Sequence, residues 1–303
     1  MFKVSKNDRK VNSVTVTATA GIFEFQADFF IDATGDGELI ALSECDYQLG
    51  RENDRCCQPM TTCFRVAGVD IKKFKEERPI LQKIYAQKRA EGIIKNPREN
   101  ILAFVGLGDG ILHFNTTRIV KHDPTNPFEL SEAEVLARRQ IVEMLEFMKE
   151  NAESCKNAFL VHIANGIGIR ESRKLKGVYV ITSQDILSCK DFEDTIALGD
   201  YGIDIHNPEG TGTTFIEMEK GNYYKIPYRC LLPKEYDNML VAGRCLSADH
   251  VAHSAVRVMP ICACIGEAAG TALAIAKSSG TNARTVNIDT VRATLMKNGA
   301  RVN

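Results

Sequence analysis

A mixed α/β fold, with one sheet interrupted by an inserted domain, is what this sequence predicts from three observations. Phe29-Phe30-Ile31 is a short apolar run that ends in Asp32-Ala33-Thr34-Gly35-Asp36-Gly37. An apolar run without alternation suits a strand covered on both faces, as in a parallel sheet. Met239-Leu240-Val241-Ala242 is a second such run, and it leads through Gly243 towards a long helix of small residues. The stretch between the two runs mixes strand and helix patterns. A chain of 303 residues suggests two domains and can bury a large core without a disulfide or metal staple.

The elements follow in order. Val11, Val14, Val16 and Ala18 alternate with polar residues, Gly21 marks a turn, and Phe23 and Phe25 alternate again, which predicts a meander of strands. The Gly35-Asp36-Gly37 turn gives a permissive backbone before a helix over 38–44. A strand is expected over 60–66 and an amphipathic, mostly solvated helix over 74–91. A strand pair is expected over 101–105 and 111–114, with Gly106, Gly108 and Gly110 at its turn. That GxGxG differs from the dinucleotide GxGxxG, and no helix follows it. Ser131 and Glu134 form a capping-box pattern for a helix over 131–150, whose Ala133, Ala137, Ile141, Met144 and Met148 recur at helical steps. A strand is expected over 177–183 with a helix starting at Asp185. The Gly-, Asp-, Asn- and Thr-rich stretch 199–223 suggests a long functional loop or irregular strands. Pro260 opens the small-residue helix to Ala276, and a short helix is expected over 290–297.

Composition excludes several classes. Lys and Arg number 38 against 39 Asp and Glu, without the basic excess typical of nucleic-acid binding, and a hydrophobic fraction of 44% argues against disorder. The N-terminus shows no apolar leader pattern, and ten cysteines without CxxC or zinc spacing point to a reducing, cytoplasmic setting. The apolar stretch 256–276 carries Gly266 and Gly270 at GxxxG spacing. Arg257, Pro260 and Glu267 interrupt it, so a buried helix is expected rather than a membrane span. Neither a Walker loop nor a G-x-S-x-G elbow is present.

Five constellations carry possible chemistry. Asp32 to Gly37 is either a ligand-approach turn at a sheet's carboxyl edge or a plain β-to-α turn. Val241 to Arg244, with Arg257 and the helix start beyond, is either an anion or flavin-edge site or ordinary helix packing. Asp249-His250-x-x-His253 has the spacing of metal ligands, but a single histidine acting on protons in a pocket is favoured over metal, and no metal site is assigned. Arg170-Glu171-Ser172-Arg173-Lys174 is either a solvated charge run, which composition favours, or a buried cluster for an anionic substrate. Cys56-Cys57 and Cys262-x-Cys264 are expected to be small buried hydrophobes rather than redox pairs.

Together these motifs resemble the FAD-dependent oxidoreductases with a glutathione-reductase-like flavin fold. FIDATGDGELIALSECDYQLGRE, IGIRESRKLKGVYVITSQDIL and the run from VAGR to EAAG carry the likeness, which spans most of residues 14–276. It implies a partial FAD/NAD(P)-binding Rossmann-like domain from 1–42 and 236–280, an inserted mixed-sheet substrate domain over 43–235, and a tail over 281–303. By resemblance, Thr34, Gly35, Asp36, Gly243, Arg244 and the backbone from Met259 through Pro260 and Ile261 to Cys262 lie near FAD. His250 falls close to the flavin ring, and Arg170, Arg173 and His206 face a small-molecule substrate. The implied reaction is hydride transfer between substrate and flavin.

The family opens with a strand, a GxGxxG turn and a helix, whereas residues 1–30 here resemble the meander that leads into the last sheet strand. The chain thus resembles a truncated member. Weak or absent FAD binding by the chain alone is expected, since the GxGxxG turn and the helix after it hold the pyrophosphate. A separate chain, or a homodimer, is the expected way to complete the site; no nucleic-acid or membrane partner is expected. The alternative is a non-catalytic remnant or interaction module that binds no flavin.

Overall fold

A computed structural model describes residues 1–106 and 108–303. The chain divides into two compact units, one of residues 1–55, 171–205 and 214–303, the other of 56–170 and 206–213. The division passes beside Arg55, Arg170, Ile205 and Thr213.

The first unit opens with an antiparallel meander of β1 (Lys3–Asn7), β2 (Lys10–Ala18) and β3 (Gly21–Gln26). The β2–β3 turn falls where Gly21, with φ 134°, was expected to bend the chain. β4 (Phe30–Asp32) follows, then α1 (Glu38–Leu42) and β5 (Tyr47–Leu49). β4 is not covered on both faces: Phe30 and Asp32 are buried while Ile31 stays exposed.

The second unit begins with β6 (Phe64–Ala67), α2 (Ile71–Ala90), β7 (Ala103–Phe104) and β8 (Leu112–Phe114). Asp70 caps α2 by accepting from the Lys73 N–H at 3.0 Å. β7 and β8 pair antiparallel as expected for the glycine-rich turn, in which Leu107 lies outside the described residues. α3 (Pro127–Asn151) starts earlier than the capping-box pattern suggested. Asn126 caps it by accepting from the Phe128 N–H, Pro127 takes the first position, and Glu134 serves elsewhere, accepting from the Ile167 N–H at 2.7 Å. β9 (Phe159–Ile163) completes a four-stranded sheet in the order β7-β8-β6-β9. Its core joins Phe64 and Phe114, stacked at 4.8 Å, with Phe74 and Tyr85 of α2 and Ile141 and Met144 of α3.

The chain then re-enters the first unit. β10 (Arg173–Leu175) pairs antiparallel with β5, and the strand expected over 177–183 is not formed, that segment making only an isolated bridge from Ile181 to Ala248. Thr182 and Asp185 form a capping box for α4 (Ser183–Leu187). β11 (Thr195–Gly199) follows, and the loop-like stretch 199–223 contains two strands, β12 (Ile203–His206) and β13 (Thr213–Ile216), paired with each other. β14 (Tyr224–Pro227) pairs with β11. β15 (Met239–Val241) pairs with β4 in parallel, matching Leu240 to Ile31. Strands more than two hundred residues apart thus share one parallel pair.

α5 (His250–Val256), α6 (Met259–Ser279) and α7 (Ile288–Lys297) close the chain. α6 buries Ile261, Ile265, Ala268, Ala269, Ala272 and Ala276 in the core that contains Met239, Leu240 and Val241. Its buried small residues are alanines, whereas a Cβ at Gly266 or Gly270 would meet nothing within 4 Å, so the close backbone approach expected at the GxxxG pair is not found there. It is also the helix among the described residues that is long and apolar enough to cross a membrane, although that test is equally met by the core helix of a soluble protein.

Candidate functional site

At the carboxyl end of β4 the chain must turn sharply into α1. Asp32, 1% exposed, organises that turn: its carboxylate accepts from the Thr34 N–H at 3.1 Å, the Thr34 hydroxyl at 2.7 Å and the Ile40 N–H at 2.9 Å. Gly35 and Gly37 take φ of 83° and 64°, values that strain any residue with a Cβ. The turn is pinned from outside as well. The Ser172 hydroxyl donates to the Asp36 carboxylate at 2.8 Å, Arg173 donates to the Asp36 carbonyl at 3.1 Å, and Arg244 pairs with the Asp36 carboxylate at 3.0 Å.

The parallel partner β15 is followed, after Ala242, by Gly243, with φ 72°, and Arg244. A Cβ at Gly243 would meet nothing within 4 Å, whereas one at Gly35 would come within 2.7 Å of the Arg244 guanidinium. Gly35 is therefore needed by its neighbour, and Gly243 faces open space. The Nε of Arg244 is buried without a hydrogen-bond partner among the described residues. α6 begins without a side-chain cap, with Met259 87% exposed and Pro260 beside it. Its first-turn N–H groups and the positive end of its dipole are thus available. Ile261 is a core side chain, so it offers the site only backbone. Cys262 donates towards the Arg257 carbonyl at 3.2 Å, and burial raises its thiol pKa.

Beside this end lies a charged cluster that the solvated reading of residues 170–174 missed. Glu171 and Lys174 have fully buried side chains and form an ion pair. Lys174 also donates to the Gly50 carbonyl at 2.8 Å. His250, at the start of α5, places Nδ1 2.8 Å from the Glu171 carboxylate. Burial works against the charge on Glu171. The His250 hydrogen bond and the Lys174 charge outweigh it and hold the carboxyl down at about 2.

His253 is wholly buried and hydrogen-bonds through Nε2 to the Arg244 carbonyl at 2.9 Å. Burial pushes its pKa down to about 3, so it is a neutral donor there. Asp249 caps α5 through the Ala252 N–H and also accepts from the Ser183 N–H. The Asp249-His250-x-x-His253 spacing therefore distributes into a cap, a carboxylate partner and a carbonyl partner.

The four expected catalytic residues divide two and two between the units: His250 and Arg173 in the first, Arg170 and His206 in the second. Arg173 also lies over the Tyr47 ring at 5.7 Å. Arg170 donates to the Pro59 carbonyl and the Thr61 hydroxyl, both at 2.6 Å. His206 is 6% exposed, and its Nδ1 lies 3.0 Å from Arg118, a side chain 1% exposed. Arginine has only donors, so Nδ1 must accept and the ring proton sits on Nε2. Arg118 also donates to the Gly210 and Gly212 carbonyls and to Thr213, and pairs with Glu99 at 3.3 Å. The sequence reading did not single out Asp32, Glu171, Ser172, Lys174 or Arg118 as site or support residues. The signal for the middle three was the placement of their run just after Gly166-Ile167-Gly168.

A parallel strand pair whose carboxyl ends carry glycine turns, with a helix start beside one of them, is the kind of end at which α/β proteins bind ligands. The chain belongs to the FAD dependent oxidoreductase family, which matches residues 1–295. Neither curated proteins nor solved structures gave a match. The residues present fit one end of FAD. The open face of Gly243, the unsatisfied Nε of Arg244 and the uncapped start of α6 are polar, accessible or backbone-close features of the kind an electron-rich ring edge needs.

Proposed function

We propose that this chain is a hydride-transferring FAD enzyme of glutathione-reductase-like flavin fold acting on a small organic substrate, and that β4, β15 and the start of α6 hold the ring end of the cofactor. The open glycine at 243 beside the uncapped α6 carries this reading. Thr34, Gly35, Asp36, Gly243, Arg244 and the backbone of 259–262 are the proposed contacts. When bound, FAD supplies the acceptor or donor for a hydride at the substrate carbon. His250 moves the accompanying proton at a substrate oxygen or nitrogen, using Nε2, because Nδ1 is engaged by Glu171. Arg173, in the same unit, is proposed to orient an anionic or hydroxylated substrate. A separate chain or a second copy of this one is proposed as a partner of this unit. Exposed apolar residues, Ile22 and Phe25 of β3 and Ile31 of β4, support a covering partner.

The test is the visible absorption and fluorescence of the purified chain before and after adding FAD. Flavin binding that weakens in Gly243→Val is expected, because a side chain would enter the open space at a positive φ. Equal FAD binding by the variant would remove the assigned cofactor site, and no binding by the parent chain would mean that this chain alone is not a working flavoenzyme. Anaerobic reduction of the loaded protein by a panel of small alcohols and amines then tests His250→Ala. Unchanged reduction kinetics would remove its proton role.

A further inference from the structure

The reading of His250 as the proton-moving group leaves open what holds the imidazole in a working form. His250 is the first residue of α5, so its backbone is fixed by the Asp249 cap, but its ring is free to turn about two side-chain torsions. The Glu171 carboxylate removes that freedom. Its two oxygens lie 2.9 and 2.8 Å from Nδ1. Lys174 pairs with the same carboxylate and anchors on the Gly50 carbonyl, and neither side chain reaches solvent.

The chemistry then has one consistent assignment. A carboxylate accepts and does not donate, so the hydrogen between the two groups belongs to Nδ1. With its only other ring nitrogen left over, His250 exchanges protons through Nε2. We propose that Glu171 is a positioning residue that locks His250 in the Nδ1–H form, and that Lys174 keeps Glu171 ionised so that it orients the ring without taking its proton.

The arrangement differs from that at His206, where an arginine donor faces Nδ1 and the proton must sit on Nε2. The two histidines are therefore held in opposite tautomers. Of these two, it is His250 that presents an unprotonated Nε2 when neutral and can accept a proton there. This inference rests on the proposed role of His250 for its functional meaning, but its structural content can be tested without flavin or substrate.

The experiment is two-bond nitrogen–proton correlation NMR on the ligand-free chain with ¹⁵N-labelled histidine, its signals assigned by loss in His250→Ala and His206→Ala. In the unaltered protein, neutral His250 is expected almost wholly as Nδ1–H and His206 as Nε2–H. In Glu171→Gln, His250 should lose its single tautomer and show both. Should that variant misfold, Glu171→Gln combined with Lys174→Met removes both buried charges together and should give the same mixed signal. An Nε2–H form of His250 in the unaltered protein, or a single Nδ1–H form that survives loss of the Glu171 charge in a folded variant, would overturn the proposal. Neither result depends on the flavin assay, so a failed proton role for His250 and a failed positioning role for Glu171 are told apart.

Discussion

Replacing Lys174 by Met tests the buried charge cluster most directly. Lys174 and Glu171 both have 0% side-chain exposure, so removing the ammonium leaves a carboxylate facing His250 in a dry site. Breaking a buried ion pair by deleting one partner costs roughly 3–5 kcal/mol. The His250 Nδ1–H at 2.8 Å still donates to the carboxylate and offsets part of this, which places Lys174→Met near the lower end, about 3 kcal/mol. With a urea dependence of roughly 3 kcal/mol per molar, the unfolding midpoint should fall by about 1 M.

Glu171→Gln should cost a similar amount, because it strands the ammonium. The double variant removes both charges, loses the Lys174 bond to the Gly50 carbonyl, and should be only about 1–2 kcal/mol less stable than the parent. Urea unfolding of the four proteins, followed by circular dichroism, closes the cycle. Single variants within about 0.5 kcal/mol of the parent, or a double variant as unstable as the sum of the singles, would refute the argument, because independent solvated charges behave that way.

Two further outcomes follow from other buried groups. His253 is held neutral, with its pKa pushed down to about 3 by burial, while an unfolded histidine takes a proton near 6.5. Protons therefore favour the unfolded chain: stability is full above pH 6.5 and is lost as pH falls, by about 2 kcal/mol at pH 5. Glu171 adds its own loss only below its unfolded value, between pH 4.5 and its folded value of about 2. Melting temperatures measured from pH 8 to 4 should show the first decline, His253→Gln should flatten it between pH 6.5 and 5, and an unchanged slope in the variant would exclude His253 as its source. In the second unit, Arg118→Met should release the 206–213 segment, since Arg118 holds His206, Gly210, Gly212 and Thr213 together. Limited proteolysis should then cut there at least tenfold faster, and an unaltered cleavage pattern would show that other contacts hold the segment.

The sequence by itself determined the elements whose signals are local. α2 and α6, the turn at Gly21 and the glycine pair after β4 were legible because helical spacing and positive-φ glycines act within a few residues. The likeness to flavin oxidoreductases was legible for a related reason: the residues around Gly35 and Gly243 sit at strand ends in short, ordered motifs. The start of α3 was misjudged by several residues because Ser131 and Glu134 satisfy a capping pattern that Asn126 and Pro127 satisfy earlier in the chain. Only tertiary structure decided the charged run at 170–174. Composition favours water for five polar residues in a row, but β10 pairs with β5 and carries Lys174 inward, where Glu171, His250 and the Gly50 carbonyl meet it. Gly50 and His250 come from positions dozens of residues away in both directions. Burial of a charge depends on what packs over it, and no local pattern records that; the same is true of the parallel match of β4 to β15, which brings together segments more than two hundred residues apart.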